Sequence, residues 1–283
     1  MQGNKKELIE ILESHIVYLQ ASGYDNDDNP YNGHPELNMC YNFLFQLDEN
    51  SEFLPKIKIN KMKYPRTYHL PYSPGATKDD KKLQAGWFEY FKDKYVVFTE
   101  KLDGENTAMT AQDVYARSHG APTRSPWSRN LWDQNDGLYW KVKSFIGENE
   151  TLFGENLYGE HSIHYDKLPE YWHMFAVNDG ERWYSWDEVK EFAGMIGVKH
   201  VPELLRTKIT SPEHIKDIID ELMKSPSTYN TTQKEGIVMR LANEFPINEF
   251  SHSVCKWVRP NHVQTDEHWT RNWKKAELIG NKY

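Results

Sequence analysis

The sequence predicts an α+β fold, and three observations carry that expectation. An amphipathic helical stretch opens the chain. Runs rich in β-branched and aromatic residues follow at Tyr95–Thr99, Tyr171–Val177 and Ile237–Arg240. With 283 residues, 38% of them hydrophobic and 14% aromatic, the chain can build a substantial core in one large or two small domains.

From about Lys5 to Ala21, Leu8, Ile11, Leu12, Ile16 and Leu19 recur at helical spacing. The polar run from Asp25 to Gly33 reads as a loop. Its Asp25-x-Asp27 lacks the later glycine and terminal glutamate of a calcium loop. A second helix is expected from about Pro35 to Leu47, turning Leu37, Cys40, Tyr41, Leu44 and Phe45 toward the first. Residues 1–55 carry two cations, Lys5 and Lys6, against ten carboxylates, a net of −8 that equals the charge of the whole chain. Residues 56–283 therefore sum to zero. The step in charge places a boundary near Pro55, between an acidic helical segment (1–55) and the main body (56–283). Acidic helices repel phosphates and are a poor nonspecific grip on nucleic acid.

The body opens with eight lysines and arginines between Lys56 and Lys82 against Asp79 and Asp80, with Tyr64, Tyr68 and Tyr72 among them. Cations interleaved with stacking rings suit a nucleic-acid end, and a solvated surface with half-buried tyrosines accounts for them equally. Pro65, Pro71, Pro74 and Gly75 make residues 64–77 irregular.

The expected strand Tyr95–Thr99 delivers Lys101 to its end, inside Glu100-Lys101-Leu102-Asp103-Gly104-Glu105-Asn106. Gly104 suits a sharp turn, and Asn106 begins a second extended run. An amine at a strand end, beside a tight turn and polar groups, has what attack on a phosphate requires. By average residue usage, Lys-x-Asp-Gly arises by chance in roughly one chain in twenty of this length. The ordered series behind it is far less common. Leu152-Phe153-Gly154-Glu155-Asn156-Leu157 sets a carboxylate after a glycine, and Tyr171-Trp172-His173-Met174-Phe175-Ala176-Val177 is an aromatic strand. Lys234-Glu235-Gly236-Ile237-Val238-Met239-Arg240 and Ser253-Val254-Cys255-Lys256-Trp257-Val258-Arg259 close the series with cations.

Composition excludes several classes. No apolar run approaches the ~20 residues that span a bilayer, and the N-terminus lacks a signal-peptide core. Two cysteines, Cys40 and Cys255, give neither a disulfide framework nor a thiolate metal cluster, so a reducing, cytoplasmic setting is expected. Walker A and Rossmann fingerprints are absent from the sequence. His161, His164, His262 and His268 lack the partners of a zinc pattern. Arg124, Ser128 and Arg129 suit contact with phosphate and equally an ordinary surface loop.

The series resembles the motifs of the lysine-adenylating ligases and capping enzymes. Among these it is most similar to the phage-type RNA ligases related to the trypanosome RNA-editing ligases, over roughly residues 56–263. The resemblance implies two antiparallel sheets with flanking helices around an ATP cleft, preceded here by the short helical appendage. Lys101 would be the nucleophile, its pKa depressed by nearby cations and Mg2+. Glu100 would face the adenine edge, while Asp103 and Asn106 would hold metal-bound water or guide the lysine. Arg117 would hold a phosphate or ribose, Glu155 the ribose, and Phe175 would stack on adenine, with Tyr171 and Trp172 as other candidates. Lys234, Glu235, Arg240, Lys256 and Arg259 would complete the nucleotide site. Within it, Glu235 with Asp103 would serve the metal, and Lys256 would neutralise charge on the α-phosphate. In two places the chain departs from the family, which usually has lysine at the positions of Arg240 and Val258. Arg259 is the expected substitute for the second, which would require a bulge or turn before Pro260.

The activity so implied is ATP-dependent joining of RNA 5′-phosphate and 3′-hydroxyl ends through lysyl-AMP, with Mg2+ or Mn2+, in RNA repair. Twenty-four residues follow Arg259, too few for the five strands of an oligonucleotide-binding barrel, so no C-terminal barrel is expected. That weighs against a DNA nick-sealing ligase or a guanylyltransferase. A non-catalytic RNA-binding repair subunit is the other alternative, against which the first motif is intact. The N-terminal segment is expected to take a protein partner or an end-healing enzyme.

Overall fold

The structure is a computed structural model that describes residues 2–19, 40, 44, 63–117, 121–260 and 273–281. The chain divides into two compact units, Met1–Ile59 and Asn60–Tyr283.

In the first unit one helix runs from Gln2 to Leu19. Ile16 and Leu19 are buried with Cys40 and Leu44, both of them helical, and Ile9 and Leu12 pack against this cluster. The buried stripe is therefore 9-12-16-19. Leu8 and Ile11, which the apolar count had placed on it, are 46% and 58% exposed. The expected loop at 25–33, and Leu37, Tyr41 and Phe45 of the second helix, lie outside the described residues.

Among its described residues the second unit holds twelve strands: β1 (Tyr68–His69), β2 (Tyr95–Lys101), β3 (Glu105–Thr110), β4 (Val114–Ala116), β5 (Thr151–Asn156), β6 (Trp172–Asn178), β7 (Arg182–Trp183), β8 (Lys199–His200), β9 (Glu203–Lys208), β10 (Gly236–Leu241), β11 (Phe245–Pro246) and β12 (Val254–Val258). They form two sheets, β1-β12-β10-β2-β9 and β11-β7-β6-β5-β3-β4, with β8 beside β6. The α+β class with two sheets holds. Pairing is antiparallel except at β1–β12 and β6–β8, which are parallel.

Each sheet face has an apolar reason to be covered. Val96 through Glu100 of β2 are all buried, because one face packs with Ile215 and Ile219 of the helix Pro212–Leu222 and the other with the interior of the unit. A strand covered on both sides loses the usual alternation. That helix starts on Ser211, whose hydroxyl accepts from the His214 N–H, with Pro212 in its first turn. A second helix, Trp186–Ile196, has a full capping box between Ser185 and Glu188 and ends on Gly197 at φ 71°. It buries Trp186, Val189 and Ala193 in the cluster that holds Leu152, Trp172 and Met174. Among the described residues no helix is long and apolar enough to cross a membrane.

Candidate active site

The two sheets enclose a cavity of about 330 Å³. Lys101, Asn106, Arg117, Glu155, Asp80 and Lys256 give it a polar half, while Tyr64, Phe175, Trp183, Phe245, Phe250 and Val254 line the rest. Such a split suits an amphiphilic ligand with a flat apolar part and a charged part.

Lys101 sits at the end of β2 opposite Gly236, the first residue of β10. That register sets Glu235 beside it, and the Lys101 Nζ donates to both Glu235 carboxylate oxygens at 2.7 Å. Gly236 is obligatory because a Cβ there would lie 2.2 Å from the Trp257 carbonyl on β12. Burial favours a neutral Lys101 amine, but Glu235, Glu155 and Asp103 outweigh it and hold the pKa above its usual value. The expected depressed lysine is thus not what this state contains. Its ammonium is locked to a carboxylate.

Glu155 comes from β5, directly across from Asn106 on β3, and accepts the Gly104 N–H at 3.0 Å. Burial, then Glu235 and Asp103, push its pKa up to about 7 despite Lys101 and the Gly104 bond. Gly104 does not adopt the positive φ of a glycine turn. It is needed for close approach, since a Cβ would lie 2.6 Å from the Asn156 carbonyl. The buried Asn106 Oδ1 and Trp183 Nε1 have no hydrogen-bond partner among the described residues. Both residues line the cavity, so a ligand with a donor and an acceptor would satisfy them.

Other assigned residues are engaged elsewhere. Asp103 Oδ2 accepts the Ser162 and Ile163 N–H groups at 2.8 and 2.9 Å, and its own N–H donates to Tyr165 Oη. This carboxylate fastens the 162–165 loop. Among the described residues no group of three or more His, Cys, Asp or Glu is placed to hold a metal. Glu100 contributes to the cavity wall, but its carboxylate accepts from Ser227 Oγ at 2.5 Å and from the Thr228 N–H at 2.8 Å. Being next to Lys101 in a strand, it points to the other face.

Lys234 is spent on structure as well. Its Nζ donates to Ser225 Oγ and to the carbonyls of Leu222, Ser225 and Pro226 at 2.8–3.0 Å. A cation there satisfies the last carbonyl of the helix Pro212–Leu222 and two carbonyls of the turn that follows it. Arg240 lines the cavity, yet its guanidinium donates to the carbonyls of Phe175 and Tyr184. It also lies 5.6 and 5.7 Å from the Trp186 and Phe245 ring centres. Burial brings its pKa down to about 10. Arg240 bridges the two sheets rather than presenting a phosphate contact. Arg259 does not line the cavity; its N–H donates to the Glu235 carbonyl. Val258, on the same face as Lys256 by register, is 1% exposed.

Three aromatic residues were candidates for the base, and one of them lines the cavity, Phe175. Trp172 is 2% exposed and donates to Thr107 Oγ1, and Tyr171 Oη donates to the Ala276 carbonyl. Lys256 lines the cavity two positions before Val258, its pKa lowered by burial and by Lys101 and Arg117 in spite of Asp80 and Glu235. Arg117 is exposed at the cavity, its Nε donating to the Tyr64 carbonyl.

Tyr64, Arg66, Thr67 and Asp80 line the cavity without having been assigned to it. The parallel pairing of β1 with β12, His69 opposite Lys256, brings them there. His69 Nδ1 meets Ser73 Oγ at 2.9 Å, and Ser73 Oγ accepts the Val258 N–H. His69 Nε2 lies 3.6 Å from Asp80 Oδ1. With Ser73 bonded to backbone and 2% exposed, this serine, histidine and aspartate tie the segment down. The basic, tyrosine-rich composition of 56–82 was the signal that could have found the wall.

A family model described as RNA ligase matches residues 94–258. No curated protein matches the chain. Among solved structures the chain is similar to a substituted Naegleria gruberi RNA ligase with ATP and Mn, at TM-score 0.46 and 18% identity over 61% of this chain and 52% of that one. A second substituted form with AMP and Mn gives TM-score 0.43 and 16% identity over 62% and 52%. The same ligase with PPi gives 0.45 and 17% over 76% and 67%. The chain thus spans about half the length of the first two.

Proposed function

The chain belongs to the RNA ligase family, and from that premise we propose that it is an ATP-dependent RNA ligase that works through a lysyl-AMP intermediate. The observation that carries this reading is the Lys101–Glu235 pair, set in a cavity where Asn106, Glu155 and Lys256 meet an aromatic half.

In the first step the Lys101 amine, having lost its proton, forms a bond to the α-phosphorus of ATP while the bond to the β-phosphate oxygen breaks and pyrophosphate leaves. The phosphate of a 5′-terminated RNA then displaces the lysine, giving an adenylated end. Finally a 3′-hydroxyl attacks that end, the phosphodiester forms, and AMP departs with the electron pair. Glu235 holds the resting amine in its charged form, so attack begins when Nζ leaves one proton on that carboxylate and turns to the phosphate. Lys256 faces the same cavity and offsets the charge that grows on the α-phosphate. Phe175 would stack on adenine, Asn106 and Trp183 would answer its polar edge or the ribose, and Glu155 would accept from a ribose hydroxyl.

The hard oxygen donors Glu155 and Glu235 fit Mg2+ or Mn2+ carried largely by substrate phosphates and water, as such ions are usually held. When bound, the ion supplies charge neutralisation at the phosphates. We read the RNA as carrying 5′-phosphate and 3′-hydroxyl ends from repair in the cytoplasm, and residues 1–55 as an accessory segment for a protein partner. Incubating the chain with α-labelled ATP or GTP and Mg2+, followed by denaturing electrophoresis, tests the reading. Label from ATP should stay on the protein and vanish in Lys101→Ala. Retention of GTP label instead, or equal labelling of the variant, removes it.

A further inference from the structure

Between β4 and β5 the chain inserts a short helical segment whose aromatic and basic side chains the nucleotide cavity does not use. Leu131, Tyr139, Val142 and Ile146 bury it in the core. Polar bonds fasten it to two residues adjoining the site. Trp127 Nε1 and Ser128 Oγ donate to the Glu105 carboxylate, and Asn130 Nδ2 donates to Asn156 Oδ1 at 2.9 Å. Glu105 and Asn156 are the chain neighbours of Asn106 and Glu155, which line the cavity.

The outer side of this rigid segment is unusual for a surface. Trp140 is 47% exposed and Phe145 46%. Lys143 places its ammonium 5.7 Å from the Tyr139 ring centre and 5.4 Å from that of Trp140. Arg124 lies 5.9 Å from the Trp132 ring centre, paired with Asp113. Residues 121–146 carry four cations against two carboxylates, in a chain whose net charge is −8. Among the described residues neither Lys141 nor Lys143 has a carboxylate partner.

We propose that Trp140, Lys141, Lys143 and Phe145 form a docking surface for single-stranded RNA, separate from the nucleotide cavity, that holds the strand whose end is being joined. This rests on the RNA ligase reading for the identity of the strand. Exposed rings take bases by stacking whatever the sequence, and unpaired lysines among them take the phosphates. A protein partner would explain the two exposed rings but not the exposed lysines beside them, one held over the Trp140 ring. The bonds from the segment to Glu105 and Asn156 give a strand held there a fixed relation to Asn106 and Glu155.

The test uses the full chain and a short fluorescein-labelled oligouridylate, with affinity read by anisotropy at several salt concentrations. Trp140→Ala should weaken binding by about tenfold, the usual loss for one stacked base. The double variant Lys141→Ala/Lys143→Ala should weaken binding and flatten the log–log salt slope by about 1.4, or 0.7 for each phosphate contact on a single strand. Thermal unfolding of both variants, whose altered side chains are exposed, checks that the fold is retained. Wild-type affinity and slope in both variants overturns the surface and leaves the patch to a protein partner. Failure of wild-type to bind while it still retains AMP on Lys101 overturns the surface and spares the ligase reading. Trp140-dependent RNA binding without AMP transfer does the reverse.

Discussion

Lys101 and Glu235 face each other across the ends of β2 and β10 so that one ammonium donates to both oxygens of one carboxylate, each at 2.7 Å. The carboxylate holds the lysine in its charged form and so restrains the amine from reacting. With the carboxylate 5% exposed and the lysine side chain 25% exposed, little water screens the attraction.

Releasing the restraint should make the amine reactive without any nucleotide. Glu235→Gln removes the largest influence that raises the Lys101 pKa, so acylation of Lys101 by an amine reagent at neutral pH should speed up several-fold, as peptide mass spectrometry would read. Unchanged or slower acylation would mean that Glu235 does not hold the proton on Lys101. In the same variant AMP transfer should fall, since the carboxylate serves the site in other ways.

Lys234 and Lys256 separate structure from chemistry. Lys234→Met leaves the buried carbonyls around it without a donor and should cost about 2–3 kcal/mol of stability, with AMP labelling recovered at low temperature. Lys256→Ala should keep its unfolding temperature and lose labelling by orders of magnitude. The reverse pattern, a stable Lys234→Met that fails to label, would restore Lys234 to the nucleotide site.

Arg240→Lys writes the residue that related ligases usually carry at this position, yet it should weaken the protein here. An ammonium cannot reach the Phe175 and Tyr184 carbonyls and stack on the Trp186 and Phe245 rings together. A loss of about 2 kcal/mol in chemical denaturation is expected. A variant as stable as the wild type would show that the guanidinium does not bridge the sheets.

Glu155 gives a pH signature. Its pKa stands at about 7 in the folded chain against 4.5 for an ordinary glutamate, so the native state binds the extra proton between those values. Stability attached to this group is present at low pH and declines as pH rises through that window. Glu155→Gln keeps an acceptor for the Gly104 N–H and cannot ionise. Its stability relative to wild type should therefore be near zero at pH 5 and grow by on the order of 1–3 kcal/mol by pH 8. Parallel melting curves of the two proteins across that range would disprove the shifted carboxylate.

Much of this site was legible because its chemistry comes in short, ordered fragments. Lys101, Asn106, Arg117, Glu155, Phe175 and Lys256 do line one cavity, and Glu235 meets Lys101. Two expected ligand contacts are engaged in the protein's own bonds, which sequence does not announce: Glu100 reaches the cavity wall but its carboxylate accepts from Ser227 and Thr228, and the Lys234 ammonium is taken up by Ser225 and nearby carbonyls. Asp103 shows the limit of residue type as a guide, because a carboxylate that accepts two backbone N–H groups looks the same in sequence as one that serves a metal. Tyr64 and Asp80 stand in a stretch whose composition the sequence shows but whose place in the fold it does not. They reach the cavity through a parallel pairing of β1 with β12; composition can flag such a stretch, but no local pattern names a partner so far along the chain. The expected helical stripe kept Leu12, Ile16 and Leu19 but took Leu8 and Ile11 and missed Ile9, because Leu8 and Ile9, like Ile11 and Leu12, are adjacent apolar residues that sequence alone does not rank.

The bond from Ser73 to Val258 spans 185 residues, and it closes the wall on which Lys256 stands. Closing so long a loop is slow and adds nothing until the intervening sheets exist. On the ribosome, then, Lys101 emerges well before the cavity it lines can close. A nascent chain that has exposed β2 but not β12 has not yet formed this cavity, so the order of synthesis brings out Lys101 ahead of Lys256, which shares its wall.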